Sequence, residues 1–110
     1  MRKDKRRRLE RAGWKVGDAG DFLQLSVDER RFIETKLALA TGFRRWREHL
    51  GLTQTDVAER IGSSQSRVAK MEVADRTVSA DLLLRSLFRL GASRRDVARL
   101  LSEPLRTRAA

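Results

Sequence analysis

The chain of 110 residues has no cysteine, no tyrosine, one histidine and one proline. Without cysteine it has no disulfide, no thiolate nucleophile and no cysteine-held zinc, and it suits a reducing compartment such as the cytoplasm. A lone histidine, His49, leaves a zinc site short of ligands; close to a helix end, a C-capping role fits it better. The single proline, Pro104, falls near the end of the chain, so the strongest helix breaker is missing from everything before it. Aromatic residues make up only 5%, so leucine, valine and isoleucine must build most of any core. No apolar run approaches the ~20 residues of a membrane helix, and no continuous apolar stretch follows the basic start as it would in a signal peptide. A GxxxxGKS phosphate loop, a GxGxxG turn and a Ser/His/Asp constellation are all missing. Asp28 and Glu29 are neighbours on a helix and point in different directions, so they do not make a catalytic pair. The expectation is a protein that is not an enzyme and uses no cofactor and no metal.

Negative charge is also scarce: 15 Asp and Glu stand against 25 Lys and Arg, for a net charge of +10. Such a balance favours a polyanionic partner, nucleic acid first and an anionic membrane surface second. Hydrophobic content of 40% and charged content of 36% suit one small domain with one modest core.

Residues 1–11 hold Arg2, Lys3, Lys5, Arg6, Arg7, Arg8 and Arg11 against Asp4 and Glu10. Leu9 is the only large apolar side chain there beyond Met1, too little to anchor the segment. It reads either as a solvated tail or as an arm along DNA phosphates or in a minor groove. In residues 12–25, Gly13, Gly17 and Gly20 interrupt any helix, while Trp14, Val16, Phe22, Leu23 and Leu25 are too apolar for a free linker. An extended stretch around Trp14 and Val16, a turn and a short helical turn at 22–24 are expected. They either pack on the helical core or form part of a partner surface.

Ser26 and Glu29 make a capping box for the longest helix, expected to reach His49. Phe32, Ile33, Leu37, Ala40, Phe43 and Leu50 form its apolar stripe. Gly42 inside it marks a kink or a close helix contact. Its later half carries Arg44, Arg45 and Arg47. Ser79 caps a helix over 80–90 with Leu82, Leu83, Leu87, Phe88 and Leu90 nearly all round it, a pattern that suggests burial on two sides, as in a dimer. Gly91 ends that helix. Ser93 and Asp96 cap a last one through Ser102, with Val97, Leu100 and Leu101 inward, and Pro104 stops it.

The stretch between these elements organises the chain. Thr53 and Asp56 can close a capping box on a helix over 54–61, with Val57, Ala58 and Ile61 inward. Gly62 ends it, because glycine takes the left-handed conformation without steric cost. Ser63 or Ser64 caps a second short helix whose inner stripe is Val68 and Met71. Its other face shows Ser64, Gln65, Ser66, Arg67 and Lys70, with no carboxylate before Glu72. Short hydroxyls, an amide and two long cations suit the base edges and phosphates of a DNA major groove.

Leu52-Thr53-Gln54, Val57-Ala58, Ile61-Gly62, Ser64-Gln65, Val68 and Met71-Glu72 resemble the helix-turn-helix of the phage-repressor (Cro/CI, Xre) regulators, over about 43–91. The resemblance implies an all-α, five-helix, lambda-repressor-like DNA-binding domain, here over 26–103, with a basic N-terminal extension over 1–25 and a frayed tail over 104–110. It implies that Gln54 anchors a phosphate and that Ser64, Gln65, Ser66 and Lys70 face bases or adjoining phosphates. The residues themselves add Arg67, on the same helix face, and Arg44, in the basic half of the long helix, as DNA-contacting cations. The resemblance also implies a structural ion pair between Arg47 and Glu72. The family usually has a glycine soon after that glutamate. Here Ala74 stands in that place, so either the turn differs or the helix runs on. Gly-Trp-Lys-Val-Gly followed by Phe-Leu-Gln-Leu-Ser resembles the N-terminal extension of some Xre-type regulators, including antitoxins of the HigA type.

The expected function is a sequence-specific, homodimeric repressor on double-stranded DNA at a palindromic operator, in the cytoplasm at the nucleoid and away from membranes. The alternative is an antitoxin that neutralises a partner toxin and represses its own operon. A non-specific RNA binder driven by the arginine-rich arm is the third reading.

Overall fold

The structure, a computed structural model, describes residues 25–103. The basic arm, the extended stretch around Trp14 and Val16, the helical turn at 22–24 and the stop at Pro104 lie outside the described residues. Within them the chain forms five helices and no strand: Val27–His49 (α1), Gln54–Ile61 (α2), Gln65–Glu72 (α3), Ala80–Arg89 (α4) and Arg94–Ser102 (α5).

A short polar side chain starts every helix, because the first amide N–H groups have no partner within it. Thr53 and Asp56 exchange both bonds of a capping box, as do Ser93 and Asp96. Ser64 caps α3 and Ser79 caps α4. At α1 the box is half-formed. The Ser26 hydroxyl accepts from Glu29 N–H, but the Glu29 carboxylate takes that hydroxyl at 2.8 Å, where a full box would take the Ser26 backbone N–H.

The first four helices end alike. In each, one backbone N–H reaches five residues back and the one before it reaches three back, as in Leu52 to Arg47, Ser63 to Ala58, Asp75 to Lys70 and Ala92 to Leu87 for the longer reach. This Schellman pattern needs a left-handed residue at its centre. Gly51, Gly62 and Gly91 supply it, and after α3 the residue is Ala74, at φ +54°. Neither expectation for Ala74 holds. Helix α3 stops at Glu72, and the turn is the ordinary one, made by an alanine.

The core gathers Leu39 and Phe43 of α1, Val57 and Ile61 of α2, Val68 and Met71 of α3, and Leu83 and Leu87 of α4, closed by Val78 from the connecting loop. Gly42 resolves into a close contact, in an α1 that runs unbroken. A Cβ there would stand 3.1 Å from Leu100 Cβ and 3.0 Å from its Cδ1, so the bare backbone lets α5 lie against α1. Two side chains tie helix ends together: the Trp46 indole N–H donates to the Leu90 carbonyl at 3.0 Å, and Arg89 Nη1 donates to the Ile61 carbonyl at 3.1 Å.

The apolar stripe expected along α1 needs correction. Ala40 and Phe43 are buried, but Phe32 is 59% exposed, and Leu37 and Leu50 are also at the surface. Ala38, Leu39 and Gly42 are buried in their place. Helical spacing identifies a face but not where along the helix the core begins, and the buried residues of α1 begin only at Ala38. Leu101 in α5 is likewise exposed, as is Phe88 in α4.

Candidate nucleic-acid interface

Helices α2 and α3 make a helix-turn-helix. Gly62, at φ +69°, turns the chain after α2, and Ser64 starts α3 two residues later by accepting the Arg67 N–H at 3.2 Å. Val68 and Met71 are fully buried, so α3 is held by one face. Its opposite face is open: Ser64, Gln65, Ser66 and Lys70 are exposed and Arg67 is half-buried. The Ser64 and Ser66 hydroxyls lie 3.3 Å apart.

The first turn of α3 carries no acidic residue, whereas α1 has two there and α2, α4 and α5 one each. Carboxylates in those four turns offset the positive end of the helix dipole. At α3 no carboxylate offsets that end; Arg67 lies in the first turn and Lys70 in the last.

Behind the open face lies a polar relay. Arg47 in α1 meets Glu72 at the end of α3 through two bonds, Nε to Oε2 and Nη2 to Oε1, the second at 3.1 Å. Arg47 Nη1 also donates to the Leu52 carbonyl at 2.9 Å. The side chains are 14% and 5% exposed, so the two charges depend on each other. Hydrogen bonding and attraction to Glu72 raise the Arg47 pKa, against the effect of burial. Gln54 Nε2 donates to Glu72 Oε1 at 3.0 Å, and Gln65 Nε2 donates to Gln54 Oε1 at 2.6 Å.

Two cations in the later half of α1 have surface partners within the domain. The exposed Arg44 pairs with Glu48 at 3.3 Å, one turn on. Arg45 pairs with Glu103 at 2.7 Å. The structure thus brings Gln54, Gln65, Arg47 and Glu72 together, sets Ser64, Ser66, Arg67 and Lys70 along the open face of α3, and leaves Arg44 in a local pair on α1.

The sequence reading missed a clamp behind α3. Lys36 Nζ donates to the Asp75 carbonyl at 3.3 Å, from α1 to the loop that follows α3. Burial lowers the Lys36 pKa, partly opposed by the charge of Asp75. The Asp75 carboxylate accepts from Thr77 N–H at 2.9 Å and from its hydroxyl at 2.7 Å, and these bonds lower its pKa. Asp-x-Thr is a legible turn signal, but the partnership with Lys36, 39 positions away, is not.

A small helical core that holds one helix by its inner face, with a tight glycine turn before it, defines a helix-turn-helix DNA-binding domain. Residues 43–85 match the family model described as helix-turn-helix. This part of the chain is a phage-repressor-like (Cro/CI, Xre) helix-turn-helix in an all-α, lambda-repressor-like fold, and it marks the protein as a DNA-binding transcription regulator. No curated protein and no solved structure matches the chain. Among the described residues, no helix is long and apolar enough to cross a membrane.

Proposed function

We propose that the protein is a sequence-specific repressor that acts as a homodimer at a palindromic DNA site, in the cytoplasm at the nucleoid. The observation that carries this reading is the open face of α3: a serine cap, an amide and a cation on a helix pinned from behind and free of acid in its first turn. Gln65 lies in the first turn of α3, where side chains reach base edges, and its amide can bond adenine in two places. Arg67 and Lys70 supply phosphate contacts, with Gln54 adding its backbone N–H at the start of α2, and Ser64 and Ser66 supply short polar contacts beside them. Two such domains related by a two-fold axis would set their recognition helices ~34 Å apart, one turn of duplex. Phe88 and Leu101, left at the surface of α4 and α5, are the apolar side chains offered to that contact.

Selection of bound sequences from a random duplex pool tests this reading. A two-fold symmetric site with half-sites one turn apart supports it, and an unpatterned pool would sink it. On the selected site, Gln65→Ala should cost about 1–3 kcal/mol and leave affinity for random duplex almost unchanged. Equal losses on both duplexes would remove Gln65 from base readout.

One observation favours a second role. Val27 and Phe32 stand exposed on the first turns of α1, and Val73 is exposed in the loop after α3. A protein partner is a natural cover for such side chains, as for an antitoxin that neutralises a toxin while repressing its own operon. A pull-down against a co-expressed neighbouring gene product, with and without Phe32→Glu, tests that role.

A further inference from the structure

Four polar side chains from three helices form a hydrogen-bond chain with a fixed direction. A carboxylate accepts and never donates at neutral pH. Glu72 therefore fixes the hand of its neighbour: Gln54 has to turn its NH2 inward, where Nε2 meets Glu72 Oε1 at 3.0 Å. Its oxygen is then left on the outer side, where it accepts from Gln65 Nε2 at 2.6 Å. This orients Gln65 as well. One amide proton is spent on Gln54, while Oε1 and the proton beside it remain at the outer end. Reversing Gln54 would put a carbonyl oxygen against the carboxylate, two acceptors with no proton between them. The bidentate grip of Arg47 holds the Glu72 carboxylate in place.

We infer that Glu72 is a specificity-determining positioning residue for DNA. It never meets a base, but through Gln54 it sets which end of the Gln65 amide donates and which accepts. A free glutamine can turn its amide over and satisfy more than one base. A pinned amide suits adenine, which offers N7 as acceptor and N6 as donor side by side, and clashes at one position with guanine, which offers two acceptors. This inference rests on the reading of Gln65 as a base contact.

Replacing the ion pair by apolar side chains, Arg47→Met with Glu72→Leu, tests it, because this removes the acceptor that fixes Gln54 and leaves no buried charge unpaired. A glutamine at position 72 would not serve, since one oxygen in the place of Oε1 could still accept from both Arg47 Nη2 and Gln54 Nε2. The readout is the ratio of affinities for adenine and guanine at the base pair that Gln65→Ala stops distinguishing. In the parent chain a good bidentate contact gives a ratio of roughly 5- to 150-fold. In the double variant Gln54 is free to turn over and Gln65 with it, so that ratio should collapse while affinity for random duplex holds. Gln54→Met cuts the same relay without touching the ion pair, and the ratio falls as Gln65 becomes free to turn. If the double variant does not fold, Gln54→Met decides alone. An adenine preference retained in either folded variant overturns the positioning role. The two failures are distinct: a harmless Gln65→Ala defeats the base contact itself, whereas a costly Gln65→Ala with the preference intact in Gln54→Met defeats only the role of Glu72.

Discussion

At the scale of single residues, Glu72 and Ala74 show how differently neighbours can be constrained. Removing a buried carboxylate leaves the Arg47 cation without its hydrogen-bonded partner, at a cost of about 3–5 kcal/mol. The exposed Arg44–Glu48 pair contributes at most about 1 kcal/mol. Glu72→Ala should therefore lower the thermal midpoint sharply without DNA, and Glu48→Ala only slightly; equal shifts would mean that the Arg47 pair adds nothing beyond a surface contact. Ala74 holds a left-handed backbone with its methyl buried. Changing it to glycine relieves about 1–2 kcal/mol of left-handed strain. It also loses about 0.8 kcal/mol of methyl burial and adds about 0.4–1 kcal/mol of unfolded-chain freedom. The effects nearly cancel, so Ala74→Gly should unfold within about 1 kcal/mol of the parent in urea. Ala74→Val, branched and larger in the same place, should lose about 2 kcal/mol or more. A clear gain for Ala74→Gly would show that the methyl contributes little. The local rules were legible here: Thr53 with Asp56 and Ser93 with Asp96 cap helices across three residues, and such rules need no knowledge of the rest of the fold. The relay from Arg47 to Gln65 needed three helices in place, and spacing along the chain does not contain that.

At the scale of elements, the helix starts carry a pH dependence. Hydrogen bonds from Thr53 lower the pKa of Asp56, those from Ser93 lower that of Asp96, and those from Thr77 lower that of Asp75. A carboxyl lowered in the folded state contributes stability above its unfolded value of about 3.9 and loses it as pH falls through the folded value. The midpoint should therefore hold from pH 7 to about pH 5 and fall steadily below about pH 4. A Thr53→Ala, Ser93→Ala chain should start lower and show a shallower acid limb; an identical limb would place the acid sensitivity elsewhere. The helices themselves were legible because each has a cap, a period and a stop signal. The inward face of α1 was misplaced because Phe32 and Phe43 obey the same period although only one of them meets the core. Burial along a long helix depends on where its partners end, which is a property of packing.

At the scale of the whole molecule, charge and fold divide the chain. The cations of residues 2–11 have only Leu9 for apolar company, too little to hold them in a core. If they lie on DNA, a chain starting at Ala12 keeps its midpoint and its preferred sequence. Its slope of log affinity against log salt becomes shallower by about two to four units, since each phosphate contact contributes about 0.9. Superimposable slopes would return those residues to the role of a solvated tail. The described residues also carry their own probe. Trp46 joins the last turn of α1 to the carbonyl that ends α4, and its ring lies 5.6 Å from that of His49. In a chain with Trp14→Phe, indole emission would report whether those two helices are docked, with no dye attached. Circular dichroism reports the helices themselves. If emission shifts toward the red before ellipticity is lost, the bundle comes apart before its helices melt.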